Sequence, residues 1–258
     1  MQPGAITFED VSVRFGTATA IDGITLAVAP KTFLAVVGGS GSGKTTLLRL
    51  VNRLIEPSRG RVSLAGSDVR SLDAVALRRR IGYVFQGIGL FPHMTVAENI
   101  GITPRLLGWP RADIDARVAE LLALVRLDPA YAPRRPAQLS GGERQRVGVA
   151  RALAARPEII LMDEPFAALD PITRDALGQD TRRLHDSLGL TTLMITHDML
   201  EALALADRIA ILDRGRLVAE GTPAEVMASP HPYVRELMQM PRRLAERVDS
   251  LSRAGAPT

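Results

Sequence analysis

Eight residues near the start of the chain, Gly38-Gly39-Ser40-Gly41-Ser42-Gly43-Lys44-Thr45, fit the pattern G-x-x-x-x-G-K-[ST]. They follow the apolar run Phe33 to Val37 and precede a helical spacing of Leu47, Leu48, Val51, Leu54 and Ile55. Strand, glycine-rich loop and helix in that order turn a pattern match into a phosphate site. Glycines admit positive φ and let successive N–H groups turn inward, so an anion meets converging donors at the positive end of a helix. Lys44 adds a point charge on the outer phosphates, and the Thr45 hydroxyl can coordinate Mg²⁺. The phosphate cradle is read as Gly38, Gly39, Ser40, Gly41, Ser42, Gly43, Lys44, Thr45 and Thr46. Of the 32 lysines and arginines only Lys31 and Lys44 are lysine, so Lys44 is not compositional drift. The alternative is a glycine loop that only turns a strand into a helix.

With 258 residues and 46% hydrophobic content, the chain can bury a full core as one large domain or a domain with an insertion. No stretch reaches the roughly 18–20 consecutive apolar residues of a membrane span. The start, Met1-Gln2-Pro3-Gly4, lacks the layout of a signal peptide, so a cytoplasmic chain is expected. The absence of cysteine excludes a disulfide framework and thiolate metal sites, and the four histidines have no metal-ligand spacing. Any metal is expected to arrive with a nucleotide. The net charge of +4 invites a nucleic-acid reading, but the arginines are spread out, with short clusters at Arg78-Arg79-Arg80, Arg134-Arg135 and Arg242-Arg243. They read as solvated or partner-facing surface. Aromatic residues, at 4%, are too scarce for base-stacking platforms, and no nucleic acid is expected as a partner.

Short strands are expected over Ile6 to Val13 and Ile24 to Val28, forming an antiparallel portion ahead of the Phe33 strand. From about Asp73 to Arg156 the pattern is mostly helical, and prolines at 92, 104, 110, 129, 133 and 136 break it into short pieces. Strand-like runs return at Glu158 to Met162, Thr191 to Ile195 and Arg208 to Leu212, alternating with helices as in a parallel sheet with crossovers. Asp213-Arg214-Gly215 then turns into a closing hairpin over Arg216 to Ala219.

The run Ile159-Ile160-Leu161-Met162-Asp163-Glu164 places two acids at the C-terminal edge of a buried strand, where ligands of open α/β sheets bind. Asp163 would hold Mg²⁺ through its water shell and Glu164 would polarise an attacking water, unless the pair only caps the next helix. In Leu139-Ser140-Gly141-Gly142-Glu143-Arg144-Gln145-Arg146 a second helix opens on Ser140, Gly141 and Gly142, giving a second anion-binding start. Here the sequence resembles the ATP-binding cassette ATPases, whose signature is LSGGQ, over nearly its whole length.

That resemblance implies an α/β P-loop NTPase with a parallel-sheet core, an N-terminal antiparallel β subdomain and an inserted α-helical signature subdomain. The ATPase domain is expected over 1–237, its helical subdomain at about 88–155, and a short tail over 238–258. It implies ATP and Mg²⁺ as ligands and a head-to-tail homodimer, in which one subunit's signature closes on the γ-phosphate held by the other. Phe15 matches the residue that stacks on adenine, where the family more often has tyrosine. Gln86 matches the glutamine that senses Mg²⁺ and the attacking water, so the metal set is Thr45, Gln86 and Asp163. Ala168-Leu169-Asp170 matches the loop that carries information across the dimer, and His197 the switch histidine at the γ-phosphate. Glu164, His197 and Gln86 form the implied catalytic set. Two positions depart from the pattern: Gly39 replaces a frequent proline, which would loosen the loop, and Glu143 replaces the signature glutamine, adding an acid near a phosphate site.

Among these ATPases, IGYVFQGIGLFPHMTVAENI over Ile81 to Ile100 and Leu169 to Arg174 are similar to the quaternary-amine importers for glycine betaine, choline or carnitine. The resemblance implies a peripheral subunit on the cytoplasmic face of the inner membrane, partnered by membrane permease subunits and an extracytoplasmic solute-binding protein. Gly87 to Met94 would accept the permease, with Ile88, Leu90 and Phe91 either in that groove or buried in the helical subdomain. The chain ends before the paired nucleotide-sensing domains that many such ATPases carry, so regulation by that route is not expected. Another solute, such as methionine, another amino acid or a phosphonate, is the alternative. A non-transport cassette ATPase is disfavoured, because no long coiled coil divides the two nucleotide motifs and only one set is present.

Overall fold

The computed structural model describes residues 5–239. The expected tail, with Pro241 and Arg242-Arg243, lies outside the described residues apart from its first two positions. Along the chain the strands are β1 (Ile6–Phe15), β2 (Ala18–Val28), β3 (Phe33–Val37), β4 (Arg59–Leu64), β5 (Ser67–Asp68), β6 (Ile81–Val84), β7 (Ile159–Asp163), β8 (Thr191–Thr196), β9 (Arg208–Asp213) and β10 (Arg216–Gly221). The helices are α1 (Lys44–Val51), α2 (Ala74–Arg79), α3 (Val96–Leu106), α4 (Arg111–Leu124), α5 (Gly141–Leu153), α6 (Pro171–Leu188), α7 (Met199–Leu205) and α8 (Pro223–Met227). Residues 232–239 are again helical.

Two sheets form the frame. An antiparallel sheet runs β2-β1-β4-β5, and a second sheet runs β10-β9-β3-β8-β7-β6, parallel except for the closing β9/β10 hairpin. The unbroken apolar run Phe33 to Val37 has a simple cause: β3 is covered on both faces. Phe33, Ala35 and Val37 point into one core cluster with α3, α4, α5 and α6, while Leu34 and Val36 point into the other, with α1 and the antiparallel sheet. Period-two alternation between two apolar environments reads as a continuous hydrophobic string. Ile209 and Ile211 of β9 against Ala210 and Leu212 repeat the pattern.

Several expectations change. The antiparallel strands β1 and β2 are longer than expected and are joined by β4 and β5, which sequence reasoning did not find. Inside the stretch expected to be helical from Asp73, Ile81–Val84 is the edge strand of the parallel sheet. Four residues that include Gly82 carry little strand signal, and the argument for Gly82 is tertiary: a Cβ there would sit 2.6 Å from the Ala152 carbonyl of α5. Helix α1 stops at Val51, short of the expected Leu54 and Ile55, and leaves Leu54 half exposed. Pro104 does not break α3 but lies within its last turns. Pro129 and Pro136 instead start short 3₁₀ turns, where a missing N–H costs nothing.

Candidate nucleotide site

The loop after β3 wraps the start of α1. Gly43 has φ 100°, and a Cβ on it would sit 2.6 Å from the Ala20 carbonyl, so only glycine fits between the loop and β2. Lys44 is 6% exposed and its Nζ donates to the carbonyls of Gly38 at 2.7 Å and Gly39 at 2.9 Å. Burial holds its ammonium below the ordinary lysine value, and the nearby Glu164 and Asp163 carboxylates oppose that shift. Gly39 has an anchor that proline would lack: its N–H donates to the Tyr233 hydroxyl at 2.8 Å.

Next to β3 in the sheet lie β8 and β7, and their C-terminal ends deliver the acids and the histidine. Asp163 ends β7 with its carboxyl raised above the ordinary value by burial. Hydrogen bonds from Tyr83 and Thr45 and the Arg49 charge work against that rise. The Tyr83 hydroxyl donates to Asp163 Oδ2 at 3.2 Å, and burial pushes that phenol up. Glu164 follows at φ 44°, a left-handed conformation uncommon outside glycine, pinned by its N–H to the Ile195 carbonyl at 3.0 Å. Its Oε2 lies 3.1 Å from His197 Nδ1. Two buried oxygens, Ser42 Oγ and Asp163 Oδ1, have no hydrogen-bond partner among the described residues. Each such group costs about 1–3 kcal/mol, and Asp163 Oδ1, at the C-terminal end of β7, suits an incoming metal.

The structure brings Lys44, Thr45, Asp163, Glu164 and His197 to one sheet edge. Gln86 stands exposed just past β6, with no hydrogen bond to Thr45 or Asp163 among the described residues. Phe15, 55% exposed at the end of β1, offers a free ring face. Ser140 caps α5 by accepting from the Glu143 N–H, while Glu143 Oε2 accepts from the Ser140 N–H at 2.7 Å. Glu143 Oε1 accepts from the Tyr131 hydroxyl at 2.6 Å, and these bonds hold its carboxyl below the usual range. The substituted acid is thus engaged in the cap rather than free at the anion site. No hydrogen bond or ion pair joins Ser140, Gly141 or Gly142 to the 38–46 loop among the described residues.

Sequence reasoning missed the residues that steer the site from behind. Glu201 accepts from the Thr196 hydroxyl at 2.6 Å directly before His197. Arg174 bridges the Leu169 carbonyl and Asp198, tying the 168–170 loop to the histidine's neighbour. Arg151 donates to the carbonyls of Ile88 and Gly89, holding the segment after Gln86 onto α5. Their helical spacing carries no mark of these roles; only the partners do. The arginine cluster at 78–80 is partly structural too, since Arg78 caps the end of α1 through the carbonyls of Asn52 and Arg53.

A family model described as ABC transporter matches residues 21–167. The glycine betaine/carnitine/choline transport ATP-binding protein of Bacillus subtilis is 49% identical over 95% of this chain and 65% of its own length. The glycine betaine uptake system ATP-binding protein of Escherichia coli is 48% identical over 90% of this chain and 75% of its own. The chain thus spans about two thirds of the length of the first of these relatives. Among solved structures, an ATP-binding cassette seen as a dimer in a post-hydrolysis state with ADP and Pi is similar at TM-score 0.74 and 33% identity. That match covers 84% of this chain and 98% of the other.

Proposed function

Since this chain belongs to the ABC transporter family, we propose that it is the ATP-hydrolysing subunit of an importer, and that the solute is a quaternary amine such as glycine betaine or choline. The convergence of Lys44, Asp163, Glu164 and His197 at the ends of β3, β7 and β8 carries the ATPase reading. Phosphoryl transfer asks the protein for position and charge, and this edge offers both. Phe15 would stack on adenine, and the N–H groups from Gly38 to Thr46 would cradle the phosphates with Lys44. Glu164 would accept a hydrogen bond from the attacking water and hold it in line. His197, which pairs with Glu164, would turn to a γ-phosphate oxygen. Thr45, Gln86 and Asp163 would hold Mg²⁺, which when bound supplies positive charge to the phosphate oxygens. The unpartnered Asp163 Oδ1 fits that role.

Among the described residues no hydrogen bond joins the cap at Ser140 to the 38–46 loop, which is compatible with a head-to-tail homodimer that brings Ser140, Gly141 and Gly142 of one copy to the nucleotide of the other. A groove of ≈ 530 Å³ beside Gln86, lined by Leu54, Tyr83, Phe85, Phe91, Ile102 and Leu106, suits a permease segment. Phe85 and Phe91 are 45% and 40% exposed there, whereas Leu90 packs partly into the core. No helix among the described residues is long and apolar enough to cross a membrane. By similarity to the transport ATP-binding relatives, the subunit would sit peripherally on the cytoplasmic face, with an extracytoplasmic binding protein delivering solute to the permease. We also divide the chain as 1–237 ATPase domain, with its helical subdomain at about 88–155, and 238–258 tail.

The test is ATP hydrolysis by this subunit assembled with its permease in lipid, with and without the cognate binding protein. Stimulation by binding protein loaded with glycine betaine or choline is the expected result. Hydrolysis indifferent to both amines removes the solute and keeps the ATPase.

A further inference from the structure

The peptide between Gly38 and Gly39 is held from both sides. Its carbonyl, on Gly38, accepts from Lys44 Nζ at 2.7 Å, and its N–H, on Gly39, donates to the Tyr233 hydroxyl at 2.8 Å. A trans peptide points these two groups in opposite directions, so they cannot be re-aimed independently. The Gly39 carbonyl takes a second bond from Lys44 at 2.9 Å. Tyr233 lies 194 residues away in sequence, in the helical stretch 232–239, with its ring packed partly into the core and its neighbour Val234 fully buried. The anchor is therefore tied to the folded core. It also requires a residue other than proline at position 39, because the proline that is frequent there in the family has no N–H to offer.

We propose that Tyr233 is a positioning residue for the phosphate loop: its hydroxyl sets the Gly38–Gly39 peptide, and through it the site from which Lys44 reaches the nucleotide. This rests on the reading of Gly38 to Thr46 as an ATP site. A loop already fixed in its binding form loses less of its interaction energy to ordering, so the clamp acts on nucleotide affinity rather than on the chemical step.

The experiment uses the full chain, with binding of a fluorescent ATP analogue, steady-state hydrolysis and thermal unfolding measured side by side. Tyr233→Phe keeps the ring and removes only the acceptor. It should raise the Kd for the analogue and the KM for ATP about five-fold, as expected for loss of one ordinary hydrogen bond. The kcat should stay at the parental value, and the unfolding midpoint should fall by no more than the few degrees that one hydrogen bond is worth. In a Gly39→Pro background, where the N–H is gone, the same change should add nothing. Parental affinity in Tyr233→Phe, an equal increment in both backgrounds, or a loss of affinity that merely tracks a lower unfolding midpoint would each overturn the clamp. Lys44→Ala separates the two readings. If the parent neither binds nor hydrolyses ATP, or Lys44→Ala is indistinguishable from it, the nucleotide site itself fails and the clamp falls with it. An active parent, an impaired Lys44→Ala and a silent Tyr233→Phe would remove the clamp alone.

Discussion

Glu164, the residue proposed to position the attacking water, has a conformation with a visible cost. A non-glycine side chain at φ 44° is held there by its own N–H and by His197, a local strain of the order of 1–3 kcal/mol that an active edge can tolerate. Glu164→Gln keeps the shape and hydrogen-bonding reach but removes the charge proposed to polarise water. We expect kcat to fall about 10²–10⁴-fold with little change in nucleotide affinity. Steady-state hydrolysis alongside a binding titration checks this, and parental turnover would remove Glu164 from the mechanism. The neighbouring acid plays a different part. Asp163 is the more enclosed of the two and accepts from the Tyr83 hydroxyl, which suits a fixed ligand better than a mobile base.

At the scale of elements, helix α6 is the brace behind the site, running from the 168–170 loop at one end to β8 at the other. Its Asp170 caps the start by accepting from the Thr173 N–H, and Asp180 gathers Arg146 of α5 with Arg126 and Arg183. Near its other end, His185 is 3% exposed, meets the Thr192 hydroxyl of β8 through Nδ1 at 2.9 Å and stacks obliquely on Phe33 of β3. Burial holds the imidazole below the ordinary histidine value. Arg182 adds to that shift, while Asp207, Asp186 and a backbone hydrogen bond involving Lys31 oppose it. A depressed histidine means that the unfolded chain binds the extra proton, so its contribution to stability is complete above the ordinary value of 6.5 and is lost as pH falls below it. Urea unfolding at stepped pH should therefore show stability falling on the acid side of that value. His185→Gln, which keeps polarity without titrating there, should flatten that part of the profile, and an unchanged slope would assign the acid sensitivity to other groups.

For the molecule as a whole, the two helix starts proposed to bind phosphate have different surroundings. The start of α1 is enclosed by its own chain. The start of α5 is closed by an internal cap and lies against the beginning of α6, where Gly142 approaches Thr173. Under the proposed head-to-tail arrangement, a complete site needs a second copy. With hydrolysis blocked by Glu164→Gln and ATP-Mg²⁺ saturating, light scattering should report twice the monomer mass, returning to the monomer when nucleotide is removed. A monomer under those conditions would mean that the membrane partner, and not nucleotide, brings the copies together. The exposed apolar groove beside Gln86 and the 84% exposed Ile172 near the 168–170 loop are surfaces that such contacts would cover.

What could be read along the chain was what physics writes locally. Glycine spacing before Lys44, an apolar run ending in Asp163-Glu164, and the Ser140 start of a helix each need only neighbours in sequence, and with the family resemblance they were enough for the class, the parallel core and the candidate site. The sequence did not reveal β4 and β5, nor that Ile81–Val84 is a strand, because short segments take their conformation from the partner that pairs with them. Nor could it show that Glu143 is engaged by Tyr131, that Arg151 holds Ile88 and Gly89, or that Gly39 gains an anchor where a proline would have none. Those contacts join residues up to 194 positions apart, as Gly39 and Tyr233 are. Local propensity carries no term for them; the close packing of two sheets and their helices creates the pairs, and only in the folded chain do they have an energy.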